Sequence, residues 1–197
     1  MKIVVDAGHS ADNGSVGPTG LKEKDANLWI ARKLKTTLEK RGANVTMTRQ
    51  GDEDLPLYKR PILAKAAAPD LFISVHNNAV PDGTNPWESN GVSTYHHYPS
   101  AKRLSEYVQG SLLRELEMKN FGLYRANFAV VRPTQYPAIL VECAFMIIPE
   151  HEAALKTDAF QSKVAEAIAD GVEEFVNDSL PDLKYEAAVE SLRRHRR

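Results

Sequence analysis

The chain has 197 residues, 43% of them hydrophobic and 26% charged, and a formal net charge of −1. These values fit one globular domain around a single core. They give no ground for a nucleic-acid partner. The single cysteine, Cys143, excludes internal disulfides and cysteine-rich zinc folds, and no stretch is long and apolar enough to span a membrane.

Taken in chain order, Ile3-Val4-Val5-Asp6-Ala7-Gly8-His9 reads as a strand covered on both faces and ending on a histidine. It begins at Lys2-Ile3, so no secretory signal is expected ahead of the fold. A loop rich in Gly, Asn and Ser follows. A helix is then predicted from an N-cap at Asp25 to about Arg41, with Leu28, Ala31, Leu34 and Leu38 on its core face and Gly42 as its stop. Val45-Thr46-Met47-Thr48 reads as a strand. A second helix is expected between Pro56 and Ala68, where Pro61 must either mark its start or kink it.

Leu71-Phe72-Ile73-Ser74-Val75 is a second strand of the buried type, and it too runs into a histidine, His76. Residues 77–90 form a long polar loop, a length that in compact domains goes with function. Residues 91–95 read as a strand. Residues 100–119 read as a helix with Leu104, Val108, Leu112 and Leu116 in phase, and residues 128–131 and 138–141 as two more strands. A last amphipathic helix is predicted over 158–176. Residues 1–178 are therefore expected to form the domain, and residues 179–197 a helix-prone basic tail ending Arg193-Arg194-His195-Arg196-Arg197. The alternation of strands and helices predicts an α/β fold: a single domain with a largely parallel central sheet and helices on both faces.

Ligands of open α/β sheets bind at the carboxyl ends of the strands. His9 and His76 stand at two such ends, and imidazole is the commonest protein ligand of transition metals. Each histidine alone also fits a hydrogen-bonded residue at a loop edge. Glu142 follows a third apolar run. It is either the partner of a nearby cation or a general base whose pKa is raised by a dry site. Glu23 alone reads as an exposed acid near a helix N-terminus, yet the loop after His9 can bring it to the same point. A catalytic zinc uses three protein ligands and keeps one open position. His96 and His97 read as supporting or surface residues, and His151 and His195 as solvent-facing. Cys143 reads as a small buried hydrophobe rather than a nucleophile. The acids of residues 150–158 read as turn and cap positions.

The pieces Val4-Val5-Asp6-Ala7-Gly8-His9, Gly20-Leu21-Lys22-Glu23-Lys24-Asp25, Leu71-Phe72-Ile73-Ser74-Val75-His76-Asn77-Asn78-Ala79 and Pro137-Ala138-Ile139-Leu140-Val141-Glu142, together with Arg49, Arg60 and the final helix, resemble the zinc-dependent N-acetylmuramoyl-L-alanine amidases of bacterial and phage cell-wall turnover. The resemblance spans about residues 2–176. It implies one Zn2+ per chain held by His9, Glu23 and His76, with Glu142 as the catalytic glutamate. It also implies peptidoglycan as substrate, cleaved at the amide between the lactyl group of N-acetylmuramic acid and L-alanine. The chain departs from the family pattern at Ser10, at Asn77 and Asn78, and at Cys143-Ala144-Phe145, none of which removes a ligand.

A monomer acting on the cell wall is expected, reached by phage-lysin release, as a mother-cell enzyme, or from a trimmed chain. Two other readings share the residues: a zinc exopeptidase on ordinary peptides, and a wall-binding module without chemistry.

Overall fold

The computed structural model describes the backbone of residues 1–81 and 83–194 and the side chains of residues 1–81 and 83–179. Six strands form one sheet in the order β2-β1-β3-β6-β4-β5. β1 (Lys2–Ala7), β2 (Asn44–Met47), β3 (Leu71–Asn78) and β6 (Ala138–Phe145) are mutually parallel. β4 (Val92–His96) runs antiparallel to β6, and β5 (Asn120–Arg125) follows β4. The largely parallel α/β sheet expected from the sequence is therefore present.

The two faces of the sheet are covered unequally. Side chains alternate across a strand, so Ile3, Val5, Ile73, Val75, Ile139 and Val141 face one side. There they meet the apolar stripes of α1 (Glu23–Lys40), α3 (Lys102–Leu116) and α5 (Asp158–Arg194). Leu34, Leu104, Leu112 and Ile168 are fully buried in this layer, each contributing about 1.5–3 kcal/mol of apolar burial. Val4, Phe72, Ala138 and Leu140 face the other side. α2 (Lys59–Ala67), through Ala64, a short 3-10 turn (Ala129–Val131) and Tyr136 from the loop after it cover them. That thin cover leaves the carboxyl ends of β3 and β6 open on this face. The short α4 (Pro149–Leu155) precedes α5.

Several boundaries differ from expectation. β3 continues through His76 to Asn78, and β6 continues through Glu142 to Phe145, so both residues lie within strands rather than after them. Residues 128–131 are not a strand: Phe128 is 44% exposed and the 3-10 turn buries Val130 and Val131 instead. β5, unexpected, forms the half-exposed sheet edge. Helix α2 begins at Lys59, which puts Pro61 in its first turn, where no N–H is needed. α5 does not stop at Val176 but continues to Arg194. The side chains of the basic end lie outside the described residues, as does His195. Among the described residues, no helix is long and apolar enough to cross a membrane.

Candidate active site

The end of β1 is held by two arginines. Gly8 N–H still donates to Val75 O at 3.0 Å, and then the chain turns at His9 with φ 59°. That left-handed backbone is uncommon for a residue with a Cβ and costs about 1–3 kcal/mol. Arg60 donates to His9 O at 2.8 Å, to Ala7 O at 2.6 Å and to Asp6 Oδ1 at 2.8 Å. Arg49 donates to Ala7 O, Gly8 O and Lys24 O at 2.9, 3.0 and 2.6 Å. Asp6 is fully buried and also accepts from Ser74 Oγ at 2.6 Å and Thr48 Oγ1 at 2.5 Å. These bonds fix the strained turn that aims His9.

Glu23 arrives by the loop after His9. Val16 and Lys22 bridge antiparallel, Ser15 N–H donates to Glu23 Oε2 at 2.9 Å, and Glu23 N–H donates to Ser15 O at 2.8 Å. The loop thus closes on itself and enters α1 directly from an extended Lys22. The helix starts at Glu23, two residues before the expected Asp25 cap, and Glu23 is 3% exposed rather than a surface acid. Buried Glu152 of α4 clips the loop from behind, accepting Thr19 N–H at 3.0 Å and Leu21 N–H at 3.1 Å.

His9, Glu23 and His76 converge, with ligand atoms all within 4.8 Å of one another, as a group that could hold a metal ion. His9 Nε2 lies 3.2 Å from Glu23 Oε2, and His76 Nδ1 lies 3.0 Å from Glu23 Oε1. Asp12 Oδ2 is 2.8 Å from the other nitrogen of His9, the carboxylate–imidazole pairing that orients metal ligands. Asn27, one helical turn after Glu23, donates to Glu23 Oε1 at 3.3 Å and accepts from Asn77 Nδ2 at 2.8 Å.

Two glycines leave room for the cluster. A Cβ on Gly8 would stand 2.3 Å from the His76 ring, and one on Gly14 would stand 2.6 Å from both Glu23 Oε2 and His9 Cδ2. Asp12, Gly8, Gly14 and Asn27 were not singled out in the sequence. The signal available was a polar Asn27 on an otherwise apolar helix face.

Burial disfavours charging His9, but the hydrogen bond and charge of Glu23, then those of Asp12, outweigh it and lift its pKa to about 9. Burial acts against ionised Glu23 as well, yet hydrogen bonds from His76 and His9 hold it far below the usual carboxylate range.

Glu142 stands beside this cluster as the register partner of His76. Its Oε2 is closed off from solvent without a hydrogen-bond partner. Burial pushes its pKa up to about 7; the His76 charge opposes that shift and the Glu23 charge adds to it. A carboxyl poised there can take up and return a proton near neutral pH. His9, His76 and Glu142 open onto a groove of about 750 Å³ also lined by Leu57, Phe128 and Arg132.

The remaining candidates stay outside the cluster among the described residues. His96 is buried at the end of β4. His97 Nδ1 pairs with Ala126 O at 2.9 Å. His151 is half-buried, not solvent-facing, and its Nδ1 accepts Phe145 N–H at 3.1 Å. Cys143 is fully buried, and burial pushes its thiol well up, which leaves no thiolate to act as nucleophile.

A mostly parallel α/β sheet whose strand ends gather two imidazoles and a carboxylate beside an unpartnered carboxyl defines a domain with a candidate metal centre. The chain belongs to the N-acetylmuramoyl-L-alanine amidase family, whose model matches residues 3–174. It is 37% identical over 174 residues to the N-acetylmuramoyl-L-alanine amidase LytC of Bacillus subtilis strain 168, covering 86% of this chain and 34% of that protein. It is 35% identical over 184 residues to the endolysin of Bacillus phage SPP1, covering 89% of this chain and 66% of the endolysin. The chain thus spans about a third of LytC and about two thirds of the endolysin. Among solved structures, it is similar to an N-acetylmuramoyl-L-alanine amidase from Clostridium difficile 630, with a TM-score of 0.83 and 30% identity over 89% of this chain and 96% of that one. It is equally similar to the amidase AmiC2 of Nostoc punctiforme, with a TM-score of 0.83 and 32% identity over 90% of this chain and 97% of that one.

Proposed function

We propose that this chain is a peptidoglycan hydrolase acting at the cell wall. It cleaves the amide between the lactyl group of N-acetylmuramic acid and L-alanine, with one zinc ion held by His9, Glu23 and His76 and with Glu142 as general base and acid. The observation that carries the reading is the convergence of the three ligand atoms within 4.8 Å next to the unpartnered Oε2 of Glu142, in a chain of this family. Two imidazoles and one carboxylate are a common catalytic zinc set, and Gly8 and Gly14 keep the space between them free of side chains.

When bound, the zinc supplies Lewis acidity at the scissile carbonyl and lowers the pKa of a water toward about 7. Glu142 takes the proton as the water attacks, then returns it to the departing amine of L-alanine. The burial that favours its protonated form suits the half of that exchange in which it carries the proton to the amine. Asp12 fixes the tautomer of His9, and Asn27 and Asn77 hold Glu23 in place. The groove with Leu57 and Phe128 supplies an apolar wall for the lactyl and alanyl methyl groups.

The test pairs metal analysis of the purified chain with product analysis on a muropeptide. One zinc per chain, a free lactyl sugar and a new L-alanine amino terminus are expected. Released single amino acids would point to an exopeptidase instead, and a metal-free chain that binds wall without cleaving it would point to a binding module.

A further inference from the structure

Arg132 lines the same groove as Glu142, and the mechanism above leaves it without a task. Its Nε donates to Asn127 Oδ1 at 2.8 Å and its Nη2 to Asn127 O at 3.0 Å. Both bonds run to one residue of the turn it closes, so the guanidinium is braced while the side chain stays exposed. Among the described residues no carboxylate pairs with it. The contrast with Arg60, the other arginine on the groove, is chemical. Arg60 is buried and spends four of its five donors on Asp6 Oδ1, Ala7 O, His9 O and Leu55 O, so it has no pair of donors left for a carboxylate. The remaining formal charges along the groove are the acids Asp12, Asp54 and Glu142 and the imidazoles. An anionic substrate group entering this groove therefore finds in Arg132 the one lining arginine with a pair of free donors.

From this we infer that Arg132, held by Asn127, recognises a free carboxylate on the peptide side of the substrate and so sets the preference for stem peptides with an acidic residue next to L-alanine. The inference rests on the amidase reading and deepens it. A planar guanidinium meets a carboxylate through two parallel hydrogen bonds, and bracing it beforehand reduces the ordering cost of binding. The second residue past the scissile amide lies about 7 Å from the reacting carbonyl in an extended peptide, and Arg132 lines one groove with Glu142 and His76.

The experiment uses the zinc-loaded chain and two muramyl tripeptides that differ only in the α-carboxyl of a D-glutamate at the second position, free in one and amidated in the other. The wild type is expected to favour the free acid about tenfold in kcat/KM, mostly through KM, the size expected of a charge-assisted pair at a partly wet site. Arg132→Gln should bring the ratio of the two substrates close to one, Arg132→Lys should restore part of it, and Asn127→Ala should weaken it with the guanidinium still present. A wild type that does not discriminate, or an Arg132→Gln variant that slows both substrates by the same factor, overturns the assignment while leaving the amidase reading intact. Should Arg132→Gln fail to fold, the wild-type ratio and the Arg132→Lys variant decide. A wild type that cleaves neither substrate fails the amidase reading itself.

Discussion

His76 and Glu142 are register partners on the parallel strands β3 and β6, side by side on the more thinly covered face of the sheet. Neighbouring strands stand about 4.8 Å apart, so the backbone alone places a metal-type ligand next to a base-type carboxyl. The imidazole turns to Glu23, 3.0 Å away, and Glu142, itself on the groove wall, keeps a buried oxygen without a partner. The separation of roles follows from environment. Glu23 is held ionised by two imidazoles, while Glu142 is kept easy to protonate by burial.

Glu142→Gln keeps the shape of the side chain and removes its basicity. The variant is expected to retain zinc at one per chain by metal analysis and to lose about 10²–10⁴-fold in turnover of muropeptide, the span typical of a lost general base. Wild-type turnover in this variant would remove Glu142 from the reaction.

The pH profile follows from the sign of the same shift. The base must be ionised to accept a proton, so kcat/KM is expected to fall as pH drops through the Glu142 pKa. That value is about 7 without a metal, and a bound dication draws it lower, which places the acid limb at or below about pH 7. For stability the direction is opposite. The folded value lies above the ordinary 4.5, so the fold favours the protonated carboxyl and loses stability as pH rises from 4.5 through about 7. Metal-free Glu142→Gln should therefore resist urea better than metal-free wild type near pH 8, by up to about 3 kcal/mol, and the gap should close near pH 4. Such a trade of stability for activity is usual at catalytic sites. Urea melts at the two pH values check it.

Arg60→Met tests the support under His9. Asp6 and Arg60 form an ion pair of 2.8 Å with side chains 0% and 4% exposed. Removing the arginine strands the carboxylate and frees His9 O, and breaking such a pair costs about 3–5 kcal/mol. A lower urea midpoint is expected, together with weaker zinc binding, because the φ 59° turn at His9 loses its anchor. A variant that melts lower but binds zinc as tightly as wild type would limit Arg60 to the core.

Much of this arrangement was legible in the chain because burial is written in runs. Ile3-Val4-Val5, Leu71 to Val75 and Ala138 to Val141 read as strands shielded on both faces, and His9, His76 and Glu142 beyond them stood out for that reason. The helix faces of Leu28 and Leu104 were legible from their spacing. What stayed hidden depends on contacts distant in sequence. Phe128 to Val131 has the apolar content of a strand and none of its pairing, and a run that short cannot be separated from a turn by pattern alone. β5 sits at an edge, and its half-exposed Phe121, Leu123 and Tyr124 give no clean alternation. The helix start at Glu23 depends on Ser15 closing a loop eight residues back. Glu152 looked like a cap until it was found to bind Thr19 and Leu21, more than 130 residues earlier in the chain.

Gly8 offers the sharpest separation between a residue the fold needs and one the metal site needs. An added Cβ would sit 2.3 Å from Cε1 and Nε2 of His76, so the ring must swing away while the ladder of β1 and β3, whose Gly8 N–H to Val75 O bond involves only backbone, is free to persist. Gly8→Ala is expected to keep its far-ultraviolet circular dichroism and lose zinc affinity by about 10–100-fold or more, the size seen when a ligand's orientation is disturbed. Gly110→Ala is the matched control. It lies within α3, the nearest atom to its added Cβ is Arg114 Nη1 at 3.6 Å, and replacing a helical glycine with alanine stabilises by about 0.5–1 kcal/mol. Isothermal titration with zinc on both variants should show the loss in Gly8→Ala and not in Gly110→Ala. Equal affinities in the two would mean that His76 can bind from a second position, and the close approach of Gly8 would then be a matter of packing alone.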